Sequence, residues 1–352
     1  LAIVEKDVTF RQQNNAGDYD KLYVATTATQ TKLTASTAAL FDGDIKDADA
    51  AMAAIAGMVK NIGDVKVKIL DPNGNPVQGA IIRQLTGAPV TSEDGTAHGI
   101  IQSNPITVVS PYIDLANKTV DVTDYIGSFA TCEITLSAVT NKTIEIFTSK
   151  TIKFSTATSA VDVCLVGGGG SGAFYQGSTS AHVNGGGGGG GGATTNVYNV
   201  PVTANRSYQV IVGSGGAVST YGNSSGGDSK FDSYKAAGGQ GAVYGVGGQG
   251  EGGNGGNSGQ NGHANTTVSM FDDGKTFYGG GGGGGATMAQ SPTTGGSPNG
   301  ASGASSYSNT HAGTAGIGGG GGGGSWFGGT SQDYPKLSPS EGGNGLVVIR
   351  LK

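Results

Sequence analysis

Runs of consecutive glycine constrain this chain more than any other feature: 167–170, 185–192, 279–285 and 318–324. A run of glycine buries no side chain, and glycine loses more backbone freedom on folding than any other residue. An ordinary apolar core is therefore excluded in these stretches, which leaves two solutions. One is a disordered linker. The other is a set of extended left-handed helices with three residues per turn and no internal hydrogen bonds, which must find partners for their amides laterally. Without Cβ atoms such helices can lie side by side as a slab held by backbone hydrogen bonds. The run 185–192 would span roughly 25 Å at about 3.1 Å per residue, the dimension of a strut.

The flanking residues favour the slab. VDVCLV at 161–166 enters the first run and LVVIRL at 346–351 leaves the final glycine cluster. Both are rich in β-branched residues and read as strands. Segments 197–200 and 208–212, on either side of 201–206, read as a hairpin. Strands at both ends of a glycine-rich stretch imply a closed domain. A linker would also be monotonous, whereas aromatic residues such as Phe174, Tyr175, Tyr221, Tyr244, Trp326, Phe327 and Tyr334 stand between the runs. Collagen is excluded by the missing Gly-X-Y period and by only ten prolines.

Ahead of residue 160 the composition is ordinary, with ten of the 69 glycines. Residues 4–24 read as two strands around a turn at 14–18. A helix is expected near 35–61, where Ile45, Ala48, Met52, Ile55, Val59 and Ile62 are spaced as a heptad seam. A bundle of identical helices or a neighbouring module would cover that seam. From 64 the pattern alternates as β, with turns at 71–76 and 91–97 and strands at 65–70 and from 77. Further strands are expected at 119–122, 131–136 and 143–154. Asp71, Asn73, Asn75, Glu93 and Asp94 lack the spacing of an EF-hand and read as turn formers.

Several segments carry resemblances. FTSKTIKF at 147–154, VDVCLVGGGG at 161–170, YQVIVGSGGA at 208–217, GGDSKF at 226–231, AAGGQGA at 236–242 and EGGNGLVVIRLK at 341–352 resemble the glycine-rich domain of bacteriophage tail-fibre and tail-tip proteins. The pattern is also similar in kind to long-tail-fibre adhesins whose tips are sandwiches of polyglycine helices. That resemblance implies a host-recognition tip, carried by the virion, whose inter-helix loops bind a glycan or protein receptor on the bacterial surface. It further implies contacts with other tail proteins and, since such fibres are commonly trimers, a trimeric bundle for the helix. The N-terminal segment resembles the tail-attaching start of fibre proteins. KVKILDPNGNPVQGAIIR at 66–83 with TSEDGTA at 91–97 is similar to small β-sandwich spacers of the carboxypeptidase-regulatory or invasin-like kind. The expected fold is thus a mainly β modular protein: a β segment over 1–34, the helix over 35–62, a β-sandwich-like spacer over 63–138, and a glycine-rich domain over 139–352 built as a slab of polyglycine helices on a β base.

Charge and motifs argue against other classes. A formal charge of −5 and scattered Lys and Arg speak against nucleic acid, and neither a membrane span nor a signal peptide is visible. No run is followed by the Lys-Ser or Lys-Thr of a phosphate-binding loop. His98, His182, His263 and His311 are far apart, so neither a metal nor a cofactor is expected. The acids after 167 offer no paired carboxylates beyond the adjacent Asp272 and Asp273, which argues against the glycan hydrolysis of a tailspike. Cys132 and Cys164 sit in apolar β runs and are expected to be reduced core residues.

The slab reading also places a binding surface. If 161–166 and 346–351 pair at the base, the first strut runs away from it and the loop 173–184 lies at the far end. The segment 325–341 belongs at the same end, because only a short glycine stretch leads back. The candidate contacts are therefore Phe174, Tyr175, Gln176 and His182 with Trp326, Phe327, Gln332, Asp333 and Tyr334, and in a third loop, 286–298, Met288 and Gln290. Aromatic faces beside amides and hydroxyls suit a sugar or an exposed protein loop. The alternative for each ring is a cap over the end of the slab. Gly167, Gly168, Gly169, Gly170, Gly188, Gly282 and Gly321 are the expected interior positions. A purely structural fibre remains the other reading.

Overall fold

A computed structural model describes residues 9–13, 19–23, 63–128, 130–174, 183–218, 224–264, 293–296, 299–305, 312–313, 315–327 and 337–352, with backbone alone at 9–13, 19–23, 183–184 and 325–327. The expected helix over 35–62 lies outside these residues. Among them the protein is mainly β, and the one helical element is a 3-10 turn at Thr123–Tyr125. Two compact units form. The first takes in the described residues up to Leu70 with Pro76–Val109 and Asn117–Thr135, and the second takes in Asp71–Asn75, Ser110–Ala116 and Leu136–Lys352.

In the first unit, β1 (Thr9–Gln13) and β2 (Tyr19–Tyr23) pair antiparallel, the two strands expected over residues 4–24. Six further strands follow: β3 (Asp64–Leu70), β4 (Ile81–Arg83), β5 (Thr96–Ile100), β6 (Ile106–Val109), β7 (Lys118–Val120) and β8 (Thr131–Thr135). They form two three-stranded sheets, β5-β3-β8 and β4-β6-β7. Alternation along β3 buries Val65, Val67 and Ile69, and Ile82, Ile106, Val108, Cys132 and Ile134 are buried likewise. This is the half-buried pattern that a period of two produces. The 91–97 turn is built by its own polar residues: Asp94 Oδ1 accepts from the Ser92 and Thr96 hydroxyls and the Thr96 amide. Those bonds hold its carboxyl down at about 2, so the turn-forming reading of Asp94 describes what the side chain does.

The second unit begins with a sandwich. Its strands are β9 (Thr143–Ile146), β10 (Lys150–Lys153), β11 (Ala160–Val166), β12 (Val183–Gly185), β13 (Thr194–Pro201), β14 (Ser207–Ile211), β15 (Ser229–Phe231), β16 (Tyr234–Ala236), β17 (Ser325–Phe327) and β18 (Leu346–Leu351). One sheet runs β13-β11-β18-β9 and the other β10-β14-β15-β16. Ile146, Phe154, Val161, Val163, Leu165, Tyr208, Val210, Phe231, Val347, Ile349 and Leu351 fill one core between them. Within it the Tyr208 ring stacks on Phe231 at 5.5 Å and meets Phe154 edge-on at 5.5 Å. The opposite face of β11 and β18 is covered too, with Cys164, Val166, Leu346 and Val348 packed with Ile317. Burial on both faces explains why these two strands read as continuous apolar runs.

Two sequence expectations are corrected by this sandwich. The segments 197–200 and 208–212 do not form a hairpin: β13 pairs with β11, whereas β14 pairs with β10 and β15. Likewise 143–154 is two strands in different sheets. In both places the chain turns a corner, because residues before and after it (Val200 and Tyr208, Ile146 and Ile152) bury into the same core from opposite sides. Asp71, in a loop of this unit, is the turn former expected, its Oδ1 accepting from the Asn73 and Asn75 amides at 2.9 Å. Cys132 and Cys164 are free and buried, as expected of core thiols.

Candidate functional site

The glycine runs leave the sandwich at one edge and return to it. β11 and β18 pair from Val161↔Leu351 to Val166↔Leu346, so the chain enters run 167–170 and comes back through 342–345 at the same edge, the base. Residues 167–173 then donate seven successive amides in rotation. Gly167, Gly170 and Ala173 donate to Ala193, Gly190 and Gly187; Gly168 and Ser171 donate to Gly227 and Ser224; Gly169 and Gly172 donate to Gly343 and Ser340. Every third amide therefore reaches the same neighbour. The run 186–193 repeats this, with Gly186, Gly189 and Gly192 bonded to Gly324, Gly321 and Gly318. Gly187, Gly190 and Ala193 turn to Tyr244, Gln240 and Ala237, and Gly188 and Gly191 to Gly256 and Gly253. All these N···O distances lie between 2.7 and 3.0 Å, full-strength geometry.

Glycine is required here by space. A Cβ at Gly167, Gly168, Gly169 or Gly170 would stand 2.1, 2.1, 1.9 or 2.0 Å from a neighbouring carbonyl oxygen, and one at Gly321 2.1 Å from that of Ser340. Gly188 is bonded on both sides, its carbonyl accepting from Gly248. Gly282 lies outside the described residues. The outer segments show a complementary rule that the sequence displays and the composition hides. From 238 to 260 side chains fall mainly at every third residue, as in Gly-Gly-Gln240, Gly-Ala-Val243, Tyr-Gly-Val246, Gly-Gly-Gln249, Gly-Gly-Asn254 and Gly-Gly-Asn257, and each of these third residues is exposed. Amides lacking a lateral strand take a side chain instead. Asn257 and Asn254 Oδ1 accept from Gly247 and Gly250, Asn344 Oδ1 from Gly215, and Asp228 Oδ1 from Gly238. Many of the polar residues between the runs thus complete the hydrogen bonding of the lattice.

At the end opposite the base, β12 and β17 pair antiparallel, Val183↔Phe327, Asn184↔Trp326 and Gly185↔Ser325. In the sequence, residues 175–182 precede β12 and residues 328–336 follow β17. Tyr175, Gln176, His182, Gln332, Asp333 and Tyr334 belong to those segments and lie outside the described residues, as do Met288 and Gln290. Trp326 and Phe327 lie on β17. Phe174 is 4% exposed, so its ring is buried and offers no contact face. A feature missed from the sequence stands at the same end. The turn 243–246 is closed by hydrogen bonds between Val243 and Val246 and tied to the strut by Gly187 donating to the Tyr244 carbonyl, and it exposes Val243, Tyr244 and Val246. Tyr244, between the third-position residues Val243 and Val246, departs from the triplet rhythm, a signal present in the sequence.

One buried carboxylate lies on β11, toward the end of the strand away from the glycine runs. Asp162, 1% exposed, receives the Asn199 amide at 2.8 Å, Arg350 at 2.8 Å and Lys352 at 2.9 Å. Burial alone would push its carboxyl up, but the amide and the two cations outweigh that and hold it below its usual range. The sign follows: this contribution is present above the unfolded-state pKa of about 3.9 and is lost as pH falls through the folded value. Asp162→Asn is therefore expected to lower stability at neutral pH and to flatten the acid limb of the stability curve, read by urea unfolding between neutrality and pH 3. Among the described residues no group of His, Cys, Asp and Glu is arranged to hold a metal, and no helix is long and apolar enough to cross a membrane.

The family model described as Glycine-rich domain matches residues 145–352. The chain belongs to the glycine-rich domain family. The match starts within β9 and runs through β18, so the glycine-rich domain comprises the sandwich, the struts and the far end together. No curated protein matches the chain. Within the glycine-rich domain a lattice of backbone hydrogen bonds between glycine segments extends from the β11·β18 edge of the sandwich.

Proposed function

We propose that the glycine-rich domain is the host-recognition tip of a bacteriophage tail fibre and that the far end of its struts contacts a receptor on the bacterial surface. The struts are, in this reading, polyglycine helices of three residues per turn, in keeping with the threefold rotation of their amides. The observation that supports the proposal is the β12·β17 pair at the end opposite the base, which residues 175–182 and 328–336 adjoin in the sequence. Function concentrates on loops held by a rigid scaffold. The segments that resemble tail-fibre glycine-rich domains, quoted above, supply the biological setting. Tyr175, Gln176, His182, Trp326, Phe327, Gln332, Asp333 and Tyr334 remain the proposed contacts, joined by Tyr244 of the exposed turn. The test is binding of the labelled full chain to host cells. Exchange of both loops for Gly-Ser segments of equal length is expected to abolish binding while leaving protease resistance intact. Undiminished binding by that variant would leave the domain a spacer.

A further inference from the structure

We propose that the Asn-Gly pairs of the glycine-rich unit are latent isoaspartate sites, locked while the lattice is closed and released when it opens. The chemistry is intrinsic to Asn-Gly. The deprotonated amide nitrogen of the glycine attacks Cγ of the asparagine, ammonia leaves, and water opens the resulting succinimide at either carbonyl to give aspartate or isoaspartate. Two conditions are needed: the glycine amide must be free of its acceptor, and the asparagine carboxamide must be free to swing over it. An absent Cβ makes glycine the least hindered following residue.

The sequence contains six such pairs, and five have described side chains. Each of the five is locked twice. At Asn254 the carboxamide accepts from Gly250 while Gly255 donates to Gly248, 2.8 Å. At Asn261 it accepts from Thr294, 2.9 Å, while Gly262 donates to the Thr294 carbonyl. At Asn299 it donates to Ile317, 2.9 Å, while Gly300 donates to Gly296. At Asn344 it accepts from Gly215, 2.9 Å, while Gly345 donates to Gly213, 2.7 Å. In the 71–75 turn Asn73 donates to Thr156, 3.0 Å, while Gly74 donates to Asp71. At Asn254, Asn261, Asn299 and Asn344 the bonds that hold the glycine-rich segments together are therefore the bonds that block succinimide closure, and at Asn73 the bonds of the 71–75 turn do so. Isoaspartate adds a backbone methylene, which breaks the three-residue rotation of a strut, so modification after opening is expected to be irreversible in structural terms.

The experiment incubates the full chain in mildly alkaline buffer with and without denaturing urea and maps ammonia loss and isoaspartate by peptide mass spectrometry. Folded protein is expected to modify these asparagines at least about a hundredfold more slowly than unfolded protein, since reaction must wait for local opening. Amide hydrogen exchange at Gly255, Gly262, Gly300 and Gly345 is expected to rank the sites in the same order as their deamidation. Asn344→Asp, whose carboxylate can still accept from Gly215, serves as a folded control for the side-chain change without the backbone insertion and is expected to keep native protease resistance. Deamidation in the folded chain at the unfolded rate, or a site order unrelated to exchange, would overturn the proposal.

Discussion

Gly169→Ala is expected to unfold the glycine-rich domain under conditions where Gly245→Ala leaves it unchanged or slightly more stable. A Cβ at Gly169 would lie 1.9 Å from the Gly319 carbonyl oxygen, whereas one at Gly245 has its nearest neighbours at 3.5 and 3.6 Å. The obstructing atom at Gly169 is backbone and cannot rotate away. Relief requires two struts to separate, which lengthens lateral bonds along both. A cost of about 4 kcal/mol or more is expected, at the upper end for overpacking. The general gain from replacing glycine, about 0.5–1 kcal/mol through the unfolded state, acts in the opposite direction and is the only term left at Gly245. The check is the urea midpoint of each variant by pulse proteolysis, and equal midpoints would mean that the runs are not packed against one another.

The second large effect is expected from the sandwich that anchors the struts. Phe231→Ala removes a fully buried ring stacked on Tyr208, at a cost of about 3–5 kcal/mol. For a unit of this size that corresponds to a fall in Tm of roughly 10 °C. Phe231→Leu should lose less than half as much, since it keeps most of the apolar volume. Because the strands that pack on this ring's cluster, β11 and β18, continue directly into the struts, protection of the glycine amides should be lost in the same transition. Melting of the aromatic cluster with the lattice still protected would show that the two fold independently.

Comparison of particular residues shows how much was legible beforehand. The two strands 161–166 and 346–351 were legible from their apolar composition, and their pairing, taken only as a premise, is present in β11 and β18. The hairpin across 201–206 did not survive, since strand content cannot say which of two sheets a strand joins. Glycine runs announced a lattice without saying which run lies beside which; that information is in the threefold rotation of donors, a property of assembled neighbours. The exposed third residue of the triplets between 238 and 257 was readable in the sequence, but attention to the unbroken runs passed over it. At the far end the pairing of 183–185 with 325–327 joins the two stretches of chain that flank the segments 175–182 and 328–336. The burial of Phe174 was not legible, because a buried ring and an exposed one between glycine runs have the same composition.

Amide hydrogen exchange resolved at single residues across 167–172 and 186–192 tests the central claim most directly. If these glycines are the interior of a hydrogen-bonded lattice, their amides should exchange as slowly as those of β11 and β18, close to the global unfolding limit. Exchange at the rate of an unstructured glycine peptide, with β11 and β18 still protected, would show the runs to be linkers between strands.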